Sequence, residues 1–149
     1  MTHIPAEEYK KILETMPIAC VDVVIAHNKK ALLLCRKNEP LKNQWCFPGG
    51  RIHKNEKLED AVKRKALEET GLKVRIGKKI GTYEAFFEKG PFEDLKTGVH
   101  CIAVCFAAKP YGNDIKINRT SLEHKWFDHI DEKFHPYVKA VLKDACIFD

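Results

Sequence analysis

Two adjacent carboxylates, Glu68 and Glu69, follow the Pro48-Gly49-Gly50 stretch, with Glu56 and Arg64 between them and the glycines. Carboxylate oxygens are hard ligands, and a pair of them beside a glycine-rich loop suits a magnesium ion that also holds substrate phosphates. Arg36 and Arg51 flank the same glycines, where forked guanidinium donors suit a diphosphate. Each feature alone has an ordinary reading. Paired charges on a helix surface are usually solvated, and so are loop arginines. The spacing of the whole set, Gly50, Glu56, Arg64, Glu68, Glu69 and Gly71, favours chemistry.

These residues need a loop that feeds a helix. The pattern predicts a helix from Leu58 to Thr70, with Asn55 as cap, Glu59 and Asp60 in the first turn and Gly71 at the left-handed stop. Leu58, Ala61, Val62, Ala66 and Leu67 form its apolar stripe. Arg64 with Glu68, and Lys65 with Glu69, stand at i,i+4 spacing on the other side.

Residues Gly50 to Leu72 resemble the Nudix box, G-x5-E-x7-R-E-U-x-E-E-x-G-U, where U is bulky and apolar. Gly50, Glu56, Arg64, Glu68, Glu69, Gly71 and Leu72 match. Two positions depart: Ala66 is small, and Lys65 replaces the glutamate after the arginine. The resemblance implies an α/β/α sandwich with a mixed sheet, magnesium (or manganese as a substitute) held by Glu68, Glu69 and a carbonyl near Gly50, and catalysis through Glu69 and Arg64. Because that glutamate helps hold metal in some members, Lys65 implies fewer bound ions.

Further matches point to the GDP-mannose mannosyl hydrolase branch: Met16-Pro17, Asp22, Arg36 with Asn38 and Pro40, then Trp45, Pro48, Gly49, Gly50 and Arg51. That branch carries a Gln-His pair before its last strand, as metal ligand and base. With Trp126 as register mark, Thr120 and Ser121 stand there instead. Glu123 and His124 lie close by and are the expected bases, against ordinary roles as a surface carboxylate and an edge-strand histidine. Asp22 is expected either to contact substrate or to serve a buried structural partner. His100 matches a histidine of the branch and is read as a substrate contact, against a core or edge histidine.

The 149 residues fit one domain, which at this size buries roughly 68 to 70% of its unfolded surface. With 44% hydrophobic and 32% charged residues and no apolar run of membrane-spanning length, the chain reads as globular. No apolar signal core opens it, so a cytoplasmic location is expected. The six cysteines form no C-x-x-C pair and fall mostly in apolar runs, so they read as reduced thiols. The net charge of +5 is spread along the chain. That suits a small anionic ligand and gives no basic tract for nucleic acid.

Along the chain, Pro5 to Met16 reads as an amphipathic helix for packing or homodimerisation. Ile18 to Ala26 and Ala31 to Cys35 read as a hairpin around His27 to Lys30. Gln44 to Pro48 is a short strand with Trp45 in the core. Lys73 to Phe87 looks like a strand pair broken near Gly81, and the loop Glu88 to Thr97 is the expected substrate lid. Val99 to Ala108 and Glu123 to Phe127 read as strands, with Trp126 buried, and Phe134 to Ile147 as a helix.

The expected activity is magnesium-dependent cleavage of a nucleoside diphosphate linked to another moiety, by water at phosphorus. Cleavage of a nucleotide sugar at the sugar carbon is the second reading. A non-catalytic nucleotide sensor is the third, because Lys65 is a loss within the box.

Overall fold

The computed structural model describes residues 3–148. Helix α1 (Ala6–Thr15) leads into the hairpin β1 (Ile18–His27) and β2 (Lys30–Arg36). Two short strands follow, β3 (Trp45–Cys46) and β4 (Gly49–Arg51), then helix α2 (Leu58–Thr70). The rest is β5 (Val74–Phe87), β6 (Val99–Pro110), β7 (Ser121–Phe127) and helix α3 (Pro136–Ala145).

The sheet runs β3-β2-β1-β6-β5, with β4 on β1 and β7 on β2. β1 and β6 are parallel from Ile18↔Cys101 to Ile25↔Ala108, and the other pairings are antiparallel. The sheet is therefore mixed. Neighbouring residues of a strand face opposite sides, and β1 buries both sides. Val21, Val23 and Ile25 pack with Ala61, Val62 and Ala66 of α2. Val24 joins Val138, Val141 and Leu142 of α3 on the other face. A strand covered by helices on both faces must be apolar at nearly every position. One helix layer on each side makes the expected α/β/α sandwich. Among the described residues, no helix is long and apolar enough to cross a membrane.

Several local expectations change. The start of α2 is set by Lys57, with no side-chain cap, while Asn55 takes a left-handed φ of 67° and turns the loop before it. Leu67 is 49% exposed, whereas Glu69 and Thr70 are buried. The inner stripe thus runs through Val62, Ala66, Glu69 and Thr70, and Leu67 sits off its edge. β5 is one strand and not a broken pair: its register with β6 shifts between Ile76 and Lys79 and again between Lys79 and Gly81. These bulges bend the strand and let it resume the same partner. The hairpin closes on two residues, Asn28 and Lys29, at φ 52° and 59°, the left-handed pair that a tight β-hairpin requires. α3 is shorter than expected. His135 caps it by accepting from the Tyr137 N–H, Pro136 opens it, and Cys146 ends it in the left-handed region. Trp45 and Trp126 are half-buried on the edges of the two cores. All six cysteines are free thiols.

Candidate active site

Pairing of β4 with β1 sets Asp22 opposite Gly49 and Val21 opposite Gly50. A Cβ at position 49 would lie 1.8 Å from Asp22 Oδ1 and 2.4 Å from the Val21 carbonyl oxygen. Only glycine fits there. A Cβ at position 50 would meet Lys65 Cε at 3.0 Å. The two glycines therefore form a thin wall, with Asp22 against one and Lys65 against the next.

Asp22 is half-buried and accepts a hydrogen bond from the Tyr137 hydroxyl, which also lies 3.2 Å from Cys105 Sγ. Loss of water contact pushes the Asp22 carboxyl up to about 7, and the Glu69 charge adds to this. The Tyr137 hydrogen bond and the cations Arg36 and Lys65 oppose it.

On the helix side, Arg64 grips Glu56 with two bonds, Nε to Oε2 at 2.7 Å and Nη2 to Oε1 at 2.9 Å. Its Nη2 also donates to the Arg51 carbonyl at 3.1 Å, and the His53 N–H donates to Glu56 at 3.0 Å. The Arg64 bonds hold the Glu56 carboxyl down at about 2. Arg64 and Glu56 thus brace the loop of residues 52–57 against α2. The Arg64 guanidinium is thus engaged by the protein itself.

Glu69 is buried and Glu68 is exposed at the end of α2. Lys65 Nζ lies 2.8 Å from Glu69 Oε2 and 3.4 Å from Glu68 Oε2. Glu69 also accepts a backbone hydrogen bond from Gly49. Burial raises the Glu69 carboxyl, with Lys65 the main opposing influence. Among the described residues, no set of three or more His, Cys, Asp or Glu side chains is assembled for a metal. The donor chemistry nevertheless fits a hard cation. Oxygens of two carboxylates already converge on one positive charge, and backbone and substrate oxygens would complete a magnesium shell.

A cavity of about 320 Å³ opens against the glycine wall. Asp22, Arg36, Arg51, Gly49 and Gly50 line its polar end. Tyr9, Leu13, Phe87 and Val99 line its apolar end. Arg51 lies 6.0 Å over the Tyr9 ring, and Arg36 Nε donates to the Pro40 carbonyl at 2.5 Å. The loop after β5 reaches the cavity through Pro91. It is tied to α1 by Phe92 against Tyr9, by the Lys10–Asp94 ion pair and by the Lys96 N–H on Glu14.

The structure thus brings together Asp22, Arg36, Gly50, Arg51, Glu68 and Glu69 around one strip of backbone. It does not bring in Glu123 and His124. Both are exposed on β7, an edge strand paired to Cys35 and Leu34 of β2, and neither lines the cavity. Thr120 does line it. His100 also lies outside the cavity, stacked on Phe86 with ring centroids 4.3 Å apart and no hydrogen-bond partner for its Nε2. It fills an odd-even place: Val99 and Cys101, its neighbours along β6, line the cavity, so the side chain between them faces the opposite side. Tyr137 and Phe87 went unassigned in the sequence, where one is a helix residue and the other a strand residue with no motif around it.

Comparisons with known proteins bear on the family and the fold. A NUDIX domain model matches residues 16–144. The low-salt glycan biosynthesis protein Agl8 of Haloferax volcanii is 36% identical over 141 residues, 95% of this chain and 90% of that protein. An ADP-ribose pyrophosphatase of Methanocaldococcus jannaschii is 33% identical over 112 residues, 75% of this chain and 62% of that protein. In fold, a MutT Nudix hydrolase from Burkholderia pseudomallei superposes with a TM-score of 0.74 at 21% identity, over 87% of this chain and 98% of that one. The chain belongs to the Nudix family of hydrolases.

Proposed function

We propose that this chain is a magnesium-dependent hydrolase of a nucleoside diphosphate linked to a second moiety, cutting the diphosphate by attack of water at phosphorus. The observation that carries the reading is the convergence of Glu68 and Glu69 on one cation beside a glycine strip that Arg36 and Arg51 flank. Glu68, Glu69 and the Gly50 carbonyl would hold Mg²⁺, with Mn²⁺ as a substitute. Bound there, the ion neutralises phosphate charge and polarises water or the leaving group.

The chain's own residues do the rest. Arg36 and Arg51 grip the diphosphate, and Gly49 and Gly50 let it approach the backbone. Asp22, fixed by Tyr137, contacts the substrate from the cavity wall. Tyr9 and Phe87 give the apolar end a surface for a flat, uncharged part of the substrate. Arg64 and Glu56 keep the loop in place while this happens. We assign residues 1–149 to one Nudix unit.

A second reading, attack at the sugar carbon of a nucleotide sugar, draws support from the glycan-biosynthesis relative and from the Arg36, Asn38, Pro40 stretch. Both readings take a nucleotide sugar as the first substrate class to try. The test is a panel of nucleotide sugars, ADP-ribose, dinucleoside polyphosphates and nucleoside triphosphates, with and without magnesium. Cleavage of diphosphate-linked compounds only with the ion is expected. Equal cleavage after chelation, or none of any diphosphate-linked compound, would contradict the proposal.

A further inference from the structure

We propose that the Lys65 ammonium is a built-in cation of this site, so that the carboxylate cluster holds a single divalent ion. The inference rests on the reading of Glu68 and Glu69 as the metal-holding pair. Lys65 sits where their oxygens meet, 2.8 Å from Glu69 Oε2 and 3.4 Å from Glu68 Oε2. It is not a loose surface partner. Its side chain is 18% exposed and that of Glu69 8%, so the pair is held largely away from water.

Two features keep Lys65 there. Its stem runs along the glycine wall, with Cε and Nζ at 3.0 and 3.3 Å from the place of a Gly50 Cβ. A side chain at position 50 would crowd that channel. The second feature is Glu69 itself: a buried carboxylate left without a cation is strongly unfavourable, and Lys65 is its main compensating charge. The field of Lys65 reaches through the wall to Asp22 as well. One ammonium thus serves three carboxylates.

The remaining acid of the cluster is unavailable to metal. Glu56 is held by two Arg64 bonds. Glu68 touches Arg64 and Lys65 only at 3.4 Å and is 47% exposed on its side chain. An incoming divalent ion therefore meets Glu68 from solvent and shares Glu69 with Lys65. A second ion would face the repulsion of both the ammonium and the first ion, with no carboxylate left to offset it.

The test is a Mn²⁺ titration of the intact chain without substrate, read by the magnetic resonance signal of the free ion, in wild type and in Lys65→Gln, Lys65→Arg and Lys65→Glu. One ion per wild-type chain is expected. Lys65→Gln should tighten Mn²⁺ by about tenfold or more, as befits one unit charge removed from a partly screened site. Lys65→Arg should stay at one ion with little change, and Lys65→Glu should bind two. Two ions in wild type, equal affinity in Lys65→Gln, or no binding in any variant would overturn the inference. If Lys65→Glu fails to fold by circular dichroism, the contrast of Lys65→Gln with Lys65→Arg decides. Because the readout is ion binding, a chain that cleaves no diphosphate yet shows this pattern sinks only the proposed activity.

Discussion

Glu56 and Asp22 flank the same strip of backbone, yet their surroundings move their protons in opposite directions. Glu56 falls from 4.5 to about 2 in the grip of Arg64. The folded chain binds that proton more weakly than the unfolded chain, so the stability it contributes is present above pH 4.5 and is lost as pH falls toward 2. Asp22 rises from 3.8 to about 7, so its ionisation costs stability as pH climbs through that window. Glu56→Gln should then lower stability by about 1 to 3 kcal/mol at neutral pH. Thermal melts should show the gap to wild type closing between pH 4.5 and 2; a gap independent of pH would deny the clamp. At the metal-holding pair, Glu69→Gln removes a charge and preserves shape. Turnover should fall by about a hundredfold or more, with the circular dichroism spectrum unchanged, and near-normal turnover would refute the assignment. Glu68, Glu69 and Arg64 were legible in sequence because one helix fixes their spacing. Asp22 was singled out too, but its partner Tyr137 was not, since 115 residues separate the two ends of their hydrogen bond.

Elements were read well where periodicity alone decides and poorly where the tertiary structure chooses. The bounds of α2 follow from its stripe and from Gly71, which takes φ 74°. The break expected near Gly81 mistook a bulge for a turn, because a glycine between polar residues signals either and only the partner strand tells them apart. Glu123 and His124 were expected near the chemistry because they lie close to Thr120 and Ser121, but their exposure depends on β7 being an edge, which the local pattern does not record. The pairing of β1 with β4 carries its own prediction. Gly49→Ala places a methyl against the Asp22 carboxylate and the Val21 carbonyl, which should cost about 3 kcal/mol in urea denaturation, the upper range for overpacking. Adding Asp22→Ala should recover only part of that, because the Val21 carbonyl stays. Full recovery would place the conflict in the side chain alone, and no loss in the single variant would show that the strands are not held this closely.

Over the whole molecule, the sheet puts a carboxylate and lysine cluster and a half-apolar cavity next to the same glycine wall. The core of β1 could be foreseen from its apolar run, which only Asp22 interrupts before His27. The cavity could not: Tyr9 comes from α1, Phe87 from the end of β5 and Tyr137 from α3, and only the closed fold brings them together. The loop after β5 was legible as polar and glycine-containing, while its ties to α1 through Lys10 and Glu14 were not. In the proposed function the diphosphate lies at the polar end of the cavity, between Arg36 and Arg51 and next to the carboxylate cluster, with the attached group at the apolar end. The most direct measurement is hydrolysis of a nucleotide sugar with magnesium in water enriched in heavy oxygen, with products resolved by mass spectrometry. The account predicts the label in a phosphate product and none in the sugar; label on the sugar carbon with unlabelled nucleoside diphosphate would contradict it.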